Sequence, residues 1–213
     1  MKIKVLKDIL SANDQIAGRN RELLDKNKIF AVNIMASPGA GKTSLVLQTI
    51  KALCDKVKVG VIEGDISSTI DAQTVGKEGV PVVQINTGGE CHLDANMVQH
   101  ALNNLSLDID VLLIENVGNL VCPAEFNLGE HRKVLVASVP EGDDKPFKYP
   151  LMFTTADAVV LNKTDLLPYV KFNVDSFTKA VKGINAKVKI FPVSCTNGDG
   201  IAAWVKWLKS QMK

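Results

Sequence analysis

The sequence predicts a three-layer α/β/α fold around a mostly parallel central sheet. Three observations carry that prediction. Short apolar runs alternate with helical patterns, a glycine-rich turn joins the first strong run to a helix, and the unusual polar residues cluster just past the ends of other runs. Alternating β and α segments build parallel βα units. In such sheets ligands sit in the crevice beyond the C-terminal strand ends.

Taken in order, residues 11–28 are polar with apolar positions at Ile16, Leu23 and Leu24, which predicts one surface-packed helix capped by Ser11 or Asn13. We read 1–28 as an N-terminal helical extension and 29–213 as one α/β domain, a size that can bury a full core. Strands are predicted at Ile29–Met35, Val57–Glu63, Val82–Asn86, Asp110–Glu115, Lys133–Val139, Ala158–Leu161 and Val188–Val193. Helices are predicted over 42–54, 68–78, 93–105, 147–155, 173–183 and 200–212.

The formal charge is only +2, so composition implies no basic surface for nucleic acid. Four scattered cysteines, Cys54, Cys91, Cys122 and Cys195, do not make a disulfide framework and suit a reducing compartment. Met1 to Leu10 intersperses Lys with Ile, Val and Leu and lacks the apolar run of a signal peptide or span, so the expectation is a cytoplasmic protein with no membrane partner.

Ala36-Ser37-Pro38-Gly39-Ala40-Gly41-Lys42-Thr43 follows a strand and opens a helix, the context a P-loop requires, and refines the fold class to a P-loop NTPase. Glycines let successive backbone N–H groups converge on phosphate oxygens, and the helix N-terminus adds partial positive charge. Lys42 is expected to reach the β- and γ-phosphates and Thr43 to offer its hydroxyl to Mg²⁺, with Ser44 beside it. The usual first glycine is Ala36 here, so the backbone at that position has to accommodate a Cβ.

Asn162-Lys163-Thr164-Asp165 follows another strand. A carboxylate there accepts from both N1–H and the 2-amino group of guanine, a donor pair adenine lacks, so Asp165 is expected to select GTP and GDP over adenine nucleotides. Asn162 is expected to fix the loop and the Lys163 stem to lie over the purine. Ser194-Cys195-Thr196 follows the last strand, where a second base-contacting loop belongs. Asp65, Glu115 and Asp71, in that order of preference, are candidates for the Mg²⁺ shell. Mg²⁺ commonly takes one or two protein carboxylates, so at least one of the three acts at a distance or positions the attacking water. Gly118 leaves room for its backbone to sense the γ-phosphate.

A second constellation comprises Cys91, His92 and Cys122 on neighbouring loops of the same edge, with Pro123 stiffening the last. Thiolate and imidazole favour Ni²⁺ or Zn²⁺ over Mg²⁺. Three ligands leave the cage incomplete. A two-fold dimer would double Cys91 and Cys122 and close a four-coordinate site, with His92 as an additional or alternative ligand.

These motifs resemble the HypB family of nickel-incorporation GTPases, of the SIMIBI class. The resemblance covers 29–208 and rests on Gly89-Glu90-Cys91-His92-Leu93-Asp94-Ala95, Glu115-Asn116-Val117-Gly118-Asn119-Leu120-Val121-Cys122-Pro123, Glu141-Gly142-Asp143-Asp144-Lys145-Pro146 and Asn162-Lys163-Thr164-Asp165. It implies a dimerising GTPase with an interface Ni/Zn site from Cys91, His92 and Cys122. It implies partnership with a HypA-like nickel chaperone and a [NiFe] hydrogenase large-subunit precursor, and a lysine, taken as Lys148, that approaches the neighbouring subunit's nucleotide. Some members carry an N-terminal cysteine motif or histidine-rich tract; here the histidines are His92, His100 and His131 and no Cys precedes Cys54, which leaves the interface as the expected metal site. A urease-type nickel GTPase, with Cys-Pro-His expected in place of Cys91-His92, is the near rival. A nucleotide-dependent binding switch without metal, with packed cysteines, is the rival of another class. An ATP-driven transporter subunit or small-molecule kinase is opposed by Asp165.

Overall fold

The computed structural model describes residues 8–53 and 56–212. The interspersed lysines of the first residues and Cys54 lie outside them. Among the described residues seven strands form one sheet: β1 (Phe30–Ala36), β2 (Val59–Asp65), β3 (Val82–Asn86), β4 (Val111–Glu115), β5 (Arg132–Ser138), β6 (Ala158–Asn162) and β7 (Lys189–Pro192). Their order is β3-β2-β4-β1-β5-β6-β7, and every pairing is parallel. The helices are α1 (Asp8–Lys26), α2 (Lys42–Leu53), α3 (Ile70–Gly76), α4 (Ala95–Leu102), α5 (Cys122–Glu125), α6 (Lys145–Lys148), α7 (Pro150–Thr155), α8 (Val174–Ile184) and α9 (Ile201–Gln211).

Strand periodicity divides the core. Val32, Ile34 and Ala36 face α2 and α9, packing with Leu45, Val46, Ile50, Trp204 and Leu208. Ala31, Ile62 and Ile114 face the other way, onto Leu24 of α1 and Val98 and Ala101 of α4. Farther along that second face, Leu135, Val159 and Leu161 pack with Phe153, Phe177 and Val181. Every strand is parallel and the central strands are buried on both faces, which is why they read as continuous apolar runs.

Several boundaries shift for local reasons. The predicted 147–155 helix is two short helices, each with a proline in its first turn and separated at Tyr149. α4 opens only at Ala95 because Asp94 caps it, its side chain accepting from the Met97 N–H. Ser11 and Asn13 lie within α1 rather than at its cap. Asn13 instead bridges loops, donating to the Asn127 carbonyl at 2.8 Å and accepting from the Ala95 N–H at 2.8 Å. Leu24 of α1 is fully buried, so this helix shares its core with the sheet.

Candidate functional site

Beyond the strand ends lies an open cavity of about 560 Å³, walled by the turn after β1 and by residues of β2, β3 and β4. It is lined by Pro38, Gly39, Gly41, Lys42, Thr43, Ser44, Gly118 and Lys163, and by the acids Glu63, Asp65, Asp71 and Glu115. The sequence-predicted phosphate, metal and switch positions therefore meet in one place. Ala36 takes the place of a glycine without strain because it is the last residue of β1, where a Cβ is ordinary. Gly41 is different: its φ is +96° and a Cβ there would collide with the Asn162 amide.

That amide explains the far wall. Asn162 donates to the Ala40 carbonyl at 3.0 Å and accepts from the N–H groups of Lys163 and Cys195 at 2.8 and 3.2 Å. One side chain thus ties three loops. Lys163, left-handed at φ 62°, sends its Nζ to the Gly39 carbonyl at 2.8 Å, so its stem spans the two loops. Asp165 accepts from the buried Ser194 hydroxyl at 2.6 Å. Desolvation, helped by the charge of Asp165, pushes the Cys195 thiol up to about 11.

On the cavity floor Glu115 accepts from the Thr43 hydroxyl at 2.9 Å. Sequence reasoning passed over its neighbour Glu63, which stands directly across from it in the β2–β4 register. Burial raises the pKa of both carboxyls, with Lys42 and Thr43 pulling Glu115 back, and Glu63 is the more strongly raised because the Glu115 charge adds to its burial. The pair accordingly holds a proton unless a cation replaces it. Asp65, which ends β2, accepts from the Ser67 and Ser68 N–H groups at 2.9 and 2.7 Å, an arrangement that fixes the turn into α3.

The thiol and imidazole residues also converge. The ligand atoms of Cys91, His92 and Cys122 lie within 4.8 Å of one another, and the two sulfurs are 3.2 Å apart. His92 packs on Phe126, ring centroids 3.9 Å apart. The hydrogen bond from Cys91 holds the Cys122 thiol above its ordinary value. Such a set can take a soft or borderline cation after losing its protons.

Two asparagines missed by sequence reading weld this cluster to the cavity. Asn116 accepts from the Leu93 and Val117 N–H groups at 3.1 and 2.9 Å and donates to Asn33 Oδ1 at 3.1 Å. Asn119 donates to the Cys91 carbonyl at 3.2 Å and accepts from the Val121 N–H at 2.9 Å, while its own N–H reaches the Ala36 carbonyl at 2.8 Å. Between them Gly118 packs on Pro38 of the phosphate turn, where a Cβ would stand 3.0 Å from the ring. Glu141 joins from the other side, hydrogen-bonded to Ser37 and capping Ser138. Lys148 stands apart: it is exposed and paired with Asp144 at 2.5 Å, and it does not line the cavity of its own chain.

A parallel sheet of this order, with a strand–Gly39-Ala40-Gly41-Lys42-Thr43–helix turn at its centre, defines a P-loop nucleotide-binding fold. Residues 30–192 match the family model described as CobW/HypB/UreG, nucleotide-binding domain. The hydrogenase maturation factor HypB of Rhizobium leguminosarum bv. viciae is 49% identical over 97% of this chain and 70% of its own length. The crystal structure of HypB from Archaeoglobus fulgidus superposes with a TM-score of 0.90 at 41% identity, covering 96% of this chain and 100% of that one. HypB from Helicobacter pylori, solved in complex with nickel, gives 0.90 at 37% identity over 94% and 95% of the two chains. The chain belongs to the CobW/HypB/UreG family and, within it, to the hydrogenase maturation factors HypB.

Proposed function

We propose that this chain is a GTP-hydrolysing metallochaperone that dimerises and couples nucleotide state to nickel delivery during [NiFe] hydrogenase maturation. The observation that carries the reading is the segment 115–122. It begins at a carboxylate hydrogen-bonded to the phosphate-turn threonine and ends at a thiol 3.2 Å from Cys91. Asn116 and Asn119 bond it to the Cys91–Leu93 loop at both ends, so a shift of Gly118 against Pro38 is transmitted to the sulfurs.

In this reading residues 29–213 are the GTPase domain and 1–28 its extension. Gly39 to Ser44 cradle the phosphates, Lys42 neutralises them, and Asp165, with Asn162 and Lys163, selects guanine beside Ser194, Cys195 and Thr196. Mg²⁺ fits the donors present: the Thr43 hydroxyl, the Glu115 carboxyl once the proton it shares with Glu63 is displaced, and Asp65 or Asp71 directly or through water. That ion supplies charge neutralisation for phosphoryl transfer. Nickel, or zinc, is cargo held by Cys91, His92 and Cys122. Three ligands on a solvent-facing loop pair leave coordination open to a second subunit, a HypA-like chaperone or the hydrogenase large-subunit precursor. The exposed Lys148 then reaches out of its own chain toward the partner's nucleotide. Two thiols this close, kept free to bind metal, suit the reducing cytoplasm.

Nickel titration in the GDP and GTP states, with wild type, Cys91→Ala and Cys122→Ala, tests the reading. Wild-type affinity should differ between the nucleotide states, and either substitution should weaken Ni²⁺ binding at least about 10-fold. Unchanged binding in both variants would remove the metal role, and identical affinity in both nucleotide states would remove the coupling.

A further inference from the structure

The floor of the nucleotide cavity carries more polar groups than the proposed Mg²⁺ shell uses. Parallel register aligns Gln84 of β3 with Glu63 of β2, and Glu63 with Glu115 of β4. Aligned residues of neighbouring strands leave the sheet on one face, so three polar side chains stand in a row about 10 Å long. The next strand contributes Ile34 at that level, which ends the row beneath the phosphate turn. One level deeper the same face is apolar, with Val82, Val61 and Leu113.

Gln84 Oε1, Glu63 Oε1 and Glu115 Oε2 are all sealed from solvent and meet no amide, hydroxyl or ammonium donor; the two carboxyls have only the proton between them, which a cation displaces, and Gln84 Oε1 has no partner. Among the described residues only one other buried side-chain polar atom, Asn20 Oδ1, lacks a partner. Leaving a buried acceptor unpaired is destabilising. Lining up one unpaired acceptor with two carboxyls whose shared proton a cation displaces is therefore a device for holding something the cavity receives. Gln84 is set for this, because its Nε2 is engaged, donating to the Ile85 carbonyl and Asn86 Oδ1 at 3.3 and 3.1 Å, which leaves Oε1 as its free group. Gln84 Oε1 and the Glu63 carboxyl stand on neighbouring strands about 4.8 Å apart, a spacing that one bridging water can span, and the cavity above them has room for more.

We propose that Glu63 and Gln84 are positioning residues for GTP hydrolysis, anchoring with Glu115 a file of ordered water that orients the water attacking the γ-phosphate. The proposal rests on the GTPase reading above and concerns the rate of hydrolysis, not nucleotide affinity. Glu63 and Gln84 act through water and through Glu115; neither is required to touch the nucleotide.

The test compares the full chain with Gln84→Met, Glu63→Leu and Glu63→Gln, measuring single-turnover hydrolysis at saturating GTP and Mg²⁺, affinity for a fluorescent GDP analogue, and melting temperature. Gln84→Met and Glu63→Leu should slow turnover at least about 10-fold, as displacement of a reacting group does. Affinity should stay within about 2-fold in both, and melting temperature should hold or rise in Gln84→Met because an unpaired buried acceptor has been removed; Glu63→Leu also takes a partner from Glu115, so its rate is read well below its own melting temperature. Glu63→Gln keeps an acceptor oxygen and should recover part of the rate. Turnover unchanged in Gln84→Met and Glu63→Leu overturns the proposal. So does a slower rate that comes with a matching loss of affinity, or with a lower melting temperature in Gln84→Met, which is the mark of a purely structural role. Wild type that binds GTP and never hydrolyses it would remove the GTPase reading itself and this inference with it.

Discussion

The two walls of the nucleotide cleft are built on opposite terms. On the side of Asn162 the polar side chains are already engaged: Asn162 with Ala40, Lys163 and Cys195, Asp165 with Ser194, Lys163 with Gly39. On the side of Glu115, the aligned Gln84, Glu63 and Glu115 meet no amide, hydroxyl or ammonium donor at one buried oxygen each, and the two carboxyls have only a proton between them. In the proposed complex the first wall receives the base without being reordered, which is how pre-organisation keeps affinity from being lost to entropy. In the same reading the second is completed by what enters, a cation and water, and so is where a change of phosphate state would be felt most directly.

The largest test of this contrast is Asp165→Ala. Its carboxylate faces two donors of guanine in the proposed complex, and charge-assisted bonds contribute about 1.5–3 kcal/mol each. GDP affinity measured by fluorescence titration should fall about 1000-fold, and the preference over ADP should collapse. Retained preference would move base selection elsewhere and leave the engaged wall without its purpose.

Next comes the thiol on that wall. Desolvation and the Asp165 charge raise Cys195 from an ordinary 9.0 to about 11, so its thiolate at pH 8 is about 100-fold scarcer than in the unfolded chain. The sign is that of a group disfavoured in its charged form: reactivity appears only as pH climbs toward the raised value. Iodoacetamide at pH 8 should therefore alkylate Cys195 about 100-fold more slowly in native protein than in urea, as read by peptide mass spectrometry. Labelling at the unfolded rate would show a loose wall.

The contrast also explains what could be read from the chain alone. The phosphate turn and Asn162 to Asp165 were legible because their chemistry is contiguous and follows an apolar run. Cys91, His92 and Cys122 were legible as a cluster because each lies just past a strand end. Glu63 was not, since an acid near the end of a run reads as a solvated strand terminus, and only cross-strand register sets it against Glu115 and Gln84. Asn116 and Asn119 were equally silent. Their task is to bond loops more than 20 residues apart, as Asn116 to Leu93 does across 23 positions, and no local pattern encodes a hydrogen bond of that span.

The smallest effect sharpens the comparison most, because it removes a tie without removing a recognising group. Ser194 is fully buried and donates to Asp165 Oδ1 at 2.6 Å. In Ser194→Ala the carboxylate keeps its charge and its place in the chain but loses the bond that holds its rotamer, along with the hydroxyl's weak contact from the Asn197 N–H at 3.4 Å. A hydrogen bond to a charged group contributes about 1.5–3 kcal/mol in full, but the freed carboxylate can take up water from the open cleft, which leaves a net cost near 1 kcal/mol. GDP affinity should drop about 5-fold, with guanine preference intact and turnover per bound GTP unchanged. A loss confined to affinity places the ordering cost on the base wall. A loss in turnover instead would mean that the two walls are not separable, and that strain at Ser194 reaches Glu115 through Asn162 and the phosphate turn.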